Sequence, residues 1–300
     1  MRERVRVTVP ATTANLGPGF DCLAVALQIY STFTAELSDC PQIVVTGEGA
    51  VAIQSASDNL VLRAMQLVFD QVGRPFPALS LTIDNRIPIA RGLGSSAAAA
   101  VAGLVAANAL LGDPLNQDQI ALLACELEGH PDNVGAAIFG GCVVSVVDGH
   151  GLLWAQVPMP EDLRAVLLIP EFAMPTQEAR SVLPAQVGRD VAIYNIARAS
   201  LLVASLATGQ LQHLRTAMQD QLHQPSRQTI FPAMSAIFDA ALESGALGVA
   251  LSGAGSTILA LTREREEEIG AAMVAAAETQ GLQARSATTR PSVGGVQIEF

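Results

Sequence analysis

A glycine- and serine-rich segment, PIARGLGSSAA at residues 88–98, stands directly before a long alanine-rich run. We expect that run to form a helix that opens at Ser95 or Ser96. The first turn of a helix has unpaired N–H groups and partial positive charge, and glycine lets the main chain approach an anion closely. The pattern therefore favours phosphate binding, although Gly92 and Gly94 could only shape a turn while the serines cap the helix.

The composition restricts how an anion can be held, because the 17 basic residues include no lysine. This absence excludes a Walker A loop, a protein-kinase ATP lysine and a pyridoxal Schiff base. Arginine, backbone N–H groups or a metal must take their place. The formal net charge of −11 and the absence of a basic cluster argue against nucleic acid or a membrane surface as a partner, and 4% aromatic residues disfavour base stacking.

Two further glycine-rich segments accompany the first: NLGPGFD at residues 15–21 and SGAGS at residues 252–256. In order and spacing, the three segments resemble the motifs of the GHMP kinases, which include galactokinase, homoserine kinase and mevalonate kinase. The resemblance spans nearly the whole chain. It implies an α+β, two-domain fold, in which residues 1–150 form an N-terminal domain like the second domain of ribosomal protein S5. Residues 151–300 would form a ferredoxin-like C-terminal domain.

The resemblance also implies that ATP lies between the two domains, with its phosphates under residues 88–98. Asn59 has two possible roles, a contact with adenine or the start of a helix. The residues assigned to ATP in this way are Asn59, Pro88, Ile89, Ala90, Arg91, Gly92, Leu93, Gly94, Ser95, Ser96, Ala97, Ala98, Gly253, Gly255 and Ser256.

A magnesium ion is the implied cofactor, held by Ser95 and by a glutamate on the next helix. Glu126 and Glu128 both qualify, but two positions along a helix point about 200° apart, so only one can face the phosphates. The spacing of the motif slightly favours Glu128. One hydroxyl, one carboxylate and two phosphate oxygens would suit the preference of Mg²⁺ for oxygen ligands.

The substrate side resembles the homoserine kinase family in TANLGPGFD, in EGHPDNV followed by GG, in PTQEARSVLP and in LHQPSR. The resemblance implies ATP-dependent phosphorylation of the side-chain hydroxyl of L-homoserine to O-phospho-L-homoserine, in threonine biosynthesis. Alternatives are a GHMP kinase for another small alcohol, such as mevalonate or a sugar, and a catalytically silent ligand sensor. The implied contacts to the amine, the hydroxyl and nearby groups are Asn15, Asp21, His130 and Asp132.

Arg180 and Arg227 are the implied clamp on the substrate carboxylate. A zwitterionic amino acid needs oxygen ligands for its ammonium group and a planar guanidinium fork for its carboxylate, and the motifs contain both. Because alignment places Asn133 where other GHMP kinases have an aspartate taken as general base, we expect catalysis by positioning and charge stabilisation. Asp132 remains an alternative base, and Thr176 a candidate for orienting the reacting groups.

Several elements must position these residues. The sequence predicts a strand around residues 5–9 that stops at Pro10, then a loop over residues 11–21, and further strands at 32–37, 43–46, 79–83, 142–147, 165–169 and 297–300. Helices are expected at residues 59–72, from 95 or 96 to 111, and at 116–128, 190–208 and 263–280. The DGHG turn at residues 148–151 is the expected domain boundary.

Four widely spaced cysteines without a CxxC pair, and an N-terminus without an apolar stretch, are typical of a reduced, cytoplasmic protein. The longest apolar run, residues 97–111, is about 15 residues long, short of the roughly 20 needed to cross a bilayer. No membrane contact is therefore expected. The family resemblance further implies a possible homodimer.

Overall fold

A computed structural model describes residues 1–56, 58–149 and 151–300. The strands are β1 (Arg4–Asn15), β2 (Gly19–Leu37), β3 (Ile43–Gly47), β4 (Leu79–Asn85), β5 (Cys142–Asp148), β6 (Gly151–Val157), β7 (Arg164–Pro170), β8 (Gly248–Leu251), β9 (Ile258–Thr262), β10 (Ala284–Thr289) and β11 (Gln297–Glu299). The α-helices are α1 (Ala50–Ser55), α2 (Leu60–Gln71), α3 (Ser95–Leu111), α4 (Gln117–Glu128), α5 (Asp132–Phe139), α6 (Thr176–Ser181), α7 (Arg189–Thr208), α8 (Leu214–Ala217), α9 (Gln224–Arg227), α10 (Met234–Glu243) and α11 (Glu266–Thr279).

The strands form two sheets, and the predicted α+β class is confirmed. The first sheet has the order β11-β1-β2-β4-β3, with β5 paired to β2 and β6 paired to β5. The second is four-stranded, in the order β10-β7-β9-β8, with antiparallel neighbours throughout. Helices α10 and α11 cover this second sheet, and their Ile237, Ile269 and Met273 pack in its apolar core.

The predicted domain boundary, at residues 148–151, falls between two strands that pair in the first sheet. Residue 150 itself lies outside the described residues. Strand β6 pairs with β5, with Ser145 opposite Trp154, so this hairpin belongs to the first sheet. Strand β11 also returns to that sheet and lies antiparallel to β1, with Arg6 opposite Glu299. By sheet membership, we propose a division after Val157, with the C-terminal strand assigned to the first unit.

Strand β1 continues to Asn15 and does not stop at Pro10, so that prediction is wrong. A register shift between Pro10 and Ala11, which face Tyr30 and Leu27, accommodates the missing N–H of proline within the ladder. The predicted loop over residues 11–21 is correspondingly reduced to a short turn between β1 and β2. Asn15 ends β1 in a left-handed conformation with φ 70°, which reverses the chain tightly.

Helix α3 is buried on nearly every side, as expected for a helix that is apolar all round. It packs between α2, α4 and strand β1. Gly103 brings α2 and α3 into close contact, because a Cβ there would overlap the carbonyl oxygen of Val61. The N-terminus of α3, which follows the glycine–serine segment, is therefore fixed by packing along the length of the helix.

Helix α7 is, among the described residues, the one helix long and apolar enough to cross a membrane by length and composition. Leu202 and Leu206 bury one face of it in the apolar core of the first unit. Ile193 and Ile196, on the other side, are 59% and 66% exposed.

Candidate active site

Three segments converge on one cleft: the phosphate loop (residues 88–98), the turn between β1 and β2, and the SGAGS loop (residues 252–256). The hydroxyl of Ser252 lies 2.6 Å from the carbonyl oxygen of Gly92. The N–H of Gly253 donates to the carbonyl of Ala14 at 3.0 Å, and the N–H of Thr257 donates to the carbonyl of Arg91 at 3.0 Å. Glycine is required at position 92, since its φ is +75° and a Cβ would overlap the carbonyl oxygen of Ser252. The backbone itself therefore joins the two units at the cleft.

The N-terminus of α3 opens into this cleft. Its N-cap is Gly94, with φ 70°, and no side chain caps the helix. Ser95 and Ser96 are the first two helical residues, so the alternative that these serines are N-caps is not what the structure shows. Because the first-turn N–H groups lack a side-chain acceptor, they can donate hydrogen bonds to the oxygens of an anion.

Of the two candidate glutamates on α4, Glu128 lines the cleft, whereas Glu126 is exposed and does not line it. The Oε1 of Glu128 accepts a hydrogen bond from the Ser96 hydroxyl at 2.6 Å. Burial raises the pKa of Glu128, and the hydrogen bond from Ser96 opposes that effect. Within the described part of the chain, no cluster of three or more His, Cys, Asp or Glu side chains could hold a metal ion. A cation here would need hydroxyl and phosphate oxygens to complete its ligand set.

A hydrogen-bonded group at the start of α5 forms a second wall of the cleft. Asp132, which is 2% exposed, receives hydrogen bonds at Oδ1 from the N–H of Asn133 at 2.6 Å and from His130 Nδ1 at 2.6 Å. Burial alone would lower the pKa of His130, but Asp132 and Glu128 outweigh it and raise that pKa. The Thr12 hydroxyl donates to Asn133 Oδ1 at 2.7 Å. Asn133 is therefore oriented by a partner on β1.

The residues predicted to hold opposite ends of the substrate are paired with each other. Arg180 donates from Nη2 to Asp21 Oδ1 at 2.6 Å and from Nη1 to Oδ2 at 3.0 Å. This bidentate hydrogen bonding raises the pKa of Arg180. Asn15 positions the loop, because its Oδ1 accepts from the N–H of Asp21 at 3.0 Å. A carboxylate and a guanidinium thus face each other across the cleft.

Arg227, the second predicted carboxylate ligand, lines the cleft but is only 2% exposed. It donates to the carbonyl of Gly253 at 2.8 Å and to that of Ala179 at 3.3 Å. Burial lowers the pKa of Arg227 to about 10, assisted by the nearby charge of Arg180. Asn15 donates to the same Gly253 carbonyl at 2.9 Å, so both polar side chains are held against the SGAGS loop.

A second cavity of about 410 Å³, mainly apolar, adjoins the phosphate loop at Ala90 and Ser96. Its walls include Phe33, Ile53, Leu60, Val61, Ile83 and Ile89. Asn59 also lines it, and its side chain caps α2 by accepting from the N–H groups of Val61 and Leu62. The structure thus shows the helix-start role of Asn59.

The cleft brings together most of the predicted site residues. Its lining comprises Asn15, Asp21, Pro88, Ala90, Arg91, Gly92, Leu93, Gly94, Ser95, Ser96, Glu128, His130, Asp132, Asn133, Thr176, Arg180, Arg227, Gly253 and Ala254. Ile89 lines the apolar cavity instead. Ala97 and Ala98 are buried in the core, and the Ser256 hydroxyl donates to the carbonyl of Phe172 at 2.7 Å. Gly255 packs against Met174 and Leu251.

Sequence analysis missed Thr12, Ser252 and Ala254. Thr12 orients Asn133, Ser252 joins two of the glycine loops, and Ala254 lines the cleft. The signal available for the first two was a hydroxyl residue inside or beside a glycine-rich motif. Their partners lie more than 100 positions away in the chain, so local pattern alone could not identify those contacts.

Comparison with known proteins identifies the family of this chain. The sequence pattern of the GHMP kinases N terminal domain matches residues 59–141, and that of the GHMP kinases C terminal region matches residues 202–279. The chain therefore belongs to the GHMP kinase family, a class of phosphotransferases. Its curated relatives include the homoserine kinase of Moorella thermoacetica, 47% identical over 92% of this chain and 94% of the relative. Another is the homoserine kinase of Synechococcus sp., 46% identical over 99% and 98%.

The solved structures show the same relationship. The crystal structure of homoserine kinase from Cytophaga hutchinsonii superimposes with a TM-score of 0.87 at 29% identity, covering 100% of this chain and 98% of that one. Within the GHMP kinase family, the chain groups with the homoserine kinases. The two-domain fold expected from the three glycine loops is confirmed by this match.

Proposed function

We propose that this chain transfers the γ-phosphoryl group of ATP to the side-chain hydroxyl of L-homoserine, giving O-phospho-L-homoserine and ADP in threonine biosynthesis. The observation that carries the proposal is the Asp21–Arg180 pair, which lies in the same cleft as the uncapped N-terminus of α3. One end of the cleft suits the two opposite charges of an amino acid. The other end suits phosphate.

The nucleotide would occupy both cavities. The phosphate oxygens would accept hydrogen bonds from the N–H groups at the start of α3 and from the glycines of the phosphate loop. The helix dipole and the close backbone approach favour an anion there. The adjoining apolar cavity would take the base. Arg91 supports the loop from behind, since its Nε donates to the carbonyl of Pro170 at 2.8 Å on the second unit.

The donor set at Glu128 fits Mg²⁺. The carboxylate of Glu128 and the hydroxyl of Ser96 are already in contact, and Ser95, the predicted ligand, is the neighbouring residue. Hard oxygen donors of this kind suit Mg²⁺, which completes its coordination with waters and phosphate oxygens. When bound, the ion would neutralise charge that develops on the phosphoryl oxygens.

The substrate would separate the Asp21–Arg180 pair and bind between its members. Its ammonium group would contact Asp21 and its carboxylate Arg180 and Arg227, so the exchange replaces one ion pair with three. Asn15 would hold Asp21 in position, and Asp132 and His130 would line the path to the hydroxyl. Thr176, at the start of α6, borders both cavities and would orient the reacting groups.

Positioning would account for most of the catalysis. The amide of Asn133 cannot act as a base, and its oxygen is already an acceptor for Thr12. Asp132 Oδ1 already accepts hydrogen bonds from His130 and from the N–H of Asn133, so this oxygen is engaged by its neighbours. Phosphoryl transfer has a loose transition state, so an early proton acceptor is not required.

A coupled assay of ADP release tests the proposal directly. Purified protein would be supplied with ATP and Mg²⁺ and with homoserine, serine, threonine or mevalonate in turn, and the phosphorylated product identified by ³¹P NMR. We expect homoserine to have the highest kcat/KM by at least about tenfold. Preference for mevalonate would contradict the proposal, and nucleotide binding without turnover of any alcohol would favour the sensor alternative.

A cytoplasmic location and a homodimer complete the proposal. The location follows from the widely spaced cysteines and the N-terminus without an apolar stretch, and the dimer from the family resemblance. Cell fractionation tests the location. Light scattering of the purified protein tests the dimer, for which a mass near 62 kDa, twice the 31.2 kDa of one chain, is expected.

A further inference from the structure

A buried histidine beside the cleft has no role in the assignments above. His223 is 0% exposed and precedes α9. Its Nε2 lies 2.8 Å from the carbonyl oxygen of Gly17, in the turn between β1 and β2. Its Nδ1 lies 3.0 Å from Nη1 of Arg227. One imidazole therefore touches both the turn that precedes Asp21 and the buried arginine expected to hold the carboxylate.

The partners of the ring define its tautomer. A guanidinium nitrogen can only donate, so Nδ1 must accept from Arg227. A carbonyl oxygen can only accept, so Nε2 must carry the proton and donate it to Gly17. The side chain is therefore neutral. Burial supports this state by lowering the pKa of His223 to about 4, an effect that Asp220 opposes and Arg227 reinforces.

The ring is also held from other directions. Asp220 fixes the main chain, since its Oδ2 accepts from the N–H of His223 at 2.9 Å and from that of Gln224 at 2.7 Å. The ring of Phe20 stacks on the imidazole with centroids 5.1 Å apart. The charged groups that face His223 are Asp220 on the preceding turn, Arg227 on α9 and Asp21 on β2. An imidazole held in this way has little freedom to rotate.

We propose that His223 is a positioning residue that aligns the two halves of the substrate site. Through Nδ1 it orients Arg227 toward the substrate carboxylate. Through Nε2 it fixes the carbonyl of Gly17, and with it the turn that joins Asn15 on β1 to Asp21 on β2, the two residues expected to face the ammonium group. The identity of the substrate, homoserine, rests on the proposed function.

Two conservative variants separate the two hydrogen bonds. In His223→Asn the amide oxygen can occupy the place of Nδ1 and accept from Arg227, but the side chain is too short to reach Gly17. In His223→Gln the amide nitrogen can occupy the place of Nε2 and donate to Gly17, but the side chain no longer accepts the hydrogen bond that Arg227 donates to Nδ1. Each variant thus retains one contact and loses the other.

Substrate analogues report on each half of the site. 4-Hydroxybutyrate lacks the ammonium group of homoserine, and homoserinol has a CH₂OH in place of its carboxylate. We expect H223Q to raise KM about tenfold for homoserine and for 4-hydroxybutyrate and to leave homoserinol within about twofold, as for one lost hydrogen bond to a charged group. We expect H223N to raise KM for homoserine and homoserinol and to spare 4-hydroxybutyrate. KM for ATP should change less than about twofold in both variants.

A purely structural role would have a different signature. It would raise KM for all three compounds together, or it would lower kcat in parallel with a fall in the folded fraction, measured by circular dichroism. Either result overturns the inference. His213 is an exposed histidine outside the cleft, so H213Q serves as the matched control and should match the unmodified enzyme.

A measurement on the unmodified protein covers the case in which a variant does not fold. Two-dimensional ¹H–¹⁵N NMR of the imidazole should show a protonated Nε2 and an unprotonated Nδ1 from pH 5.5 to 8. The opposite tautomer, or a ring that titrates near pH 6.5, overturns the inference. If the unmodified protein does not turn over homoserine, the proposed function fails while the tautomer still stands. If it does and the variants show no crossed pattern, only the positioning role fails.

Discussion

Replacing Asp21 with asparagine tests the exchange of ion pairs on which substrate binding depends. The variant keeps the size of the side chain and removes its charge. The Asp21–Arg180 pair is then weakened before any substrate arrives, and the ammonium group of homoserine loses its carboxylate partner. The two effects act in opposite directions on binding.

The structure allows their sizes to be compared. The side chains of Arg180 and Asp21 are 36% and 34% exposed, so the pair that substrate must break contributes only about 0.2–1 kcal/mol. A hydrogen bond from the substrate ammonium to a carboxylate contributes about 1.5–3 kcal/mol. The loss of the substrate contact is therefore the larger effect. The net loss is about 1.5 kcal/mol, which corresponds to an increase of about tenfold in the KM for homoserine.

The response to 4-hydroxybutyrate should have the opposite sign. This analogue has no ammonium group to lose its partner, and in the variant it no longer has to break a full ion pair. Its KM, or its Ki as a competitive inhibitor, should stay unchanged or fall by up to about fivefold, the equivalent of about 1 kcal/mol. The ratio of kcat/KM for homoserine to that for 4-hydroxybutyrate should consequently fall by at least about tenfold.

Steady-state assays on both compounds at saturating ATP give this ratio. Asp118→Asn, an exposed aspartate on α4, is the matched control and should leave the ratio unchanged. If D21N raised KM for both compounds equally, Asp21 would have no role in recognising the ammonium group and the exchange of ion pairs would be refuted.

Other changes test the remaining parts of the site. Asp132→Asn should raise KM for homoserine about tenfold; a large fall in kcat with unchanged KM would instead identify a general base. Glu128→Gln should lower kcat by at least about 100-fold and raise the Mg²⁺ concentration needed for half-maximal activity; an unchanged Mg²⁺ requirement would contradict a ligand role. Gly92→Ala should abolish ATP binding in calorimetry, because its Cβ would push the phosphate loop away from Ser252; normal affinity would show that the close approach is dispensable. The pKa of His223 is about 4 in the folded protein and 6.5 ordinarily, so between pH 6.5 and 4 the unfolded chain binds a proton that the folded protein does not. The free energy of unfolding therefore falls as pH decreases from 6.5 to 4. In urea titrations over this pH range, the free energy of unfolding of H223Q should fall less steeply than that of the unmodified protein, by up to about 1.4 kcal/mol per pH unit. Equal slopes of unfolding free energy against pH would refute this.

The phosphate side of the site could be predicted from sequence because its determinants are local. Residues 88–98 combine glycines with the start of an apolar helix, and those features are adjacent in the chain. The structure places the unpaired N–H groups there, with Gly94 as the N-cap in place of a serine. Helical periodicity indicated that only one of Glu126 and Glu128 could face the cleft, and the spacing of the family motif favoured Glu128, which is the one that lines it.

Contacts between distant segments were beyond the reach of local pattern. Arg180 and Asp21 are 159 positions apart, and each was assigned a separate role on the substrate before the structure paired them. The continuation of β1 past Pro10 depends on a register shift against Tyr30 and Leu27 on β2, and proline alone indicated a stop. The return of β11 to the first sheet had no signal beyond a short apolar stretch, because strand pairing depends on which edge remains open after the rest has folded.

That return has a consequence for the order in which the molecule is built. Residues near the C-terminus close the first sheet: Ser292 donates to Ala26, Val296 donates to Ala137, and β11 pairs with β1. A ribosome makes these residues only after it has made every strand of the four-stranded sheet. Vectorial synthesis therefore cannot complete the first unit before the second, in contrast to the usual domain-by-domain order. Until then β1 has an open edge, which a chaperone or a neighbouring nascent chain could pair with.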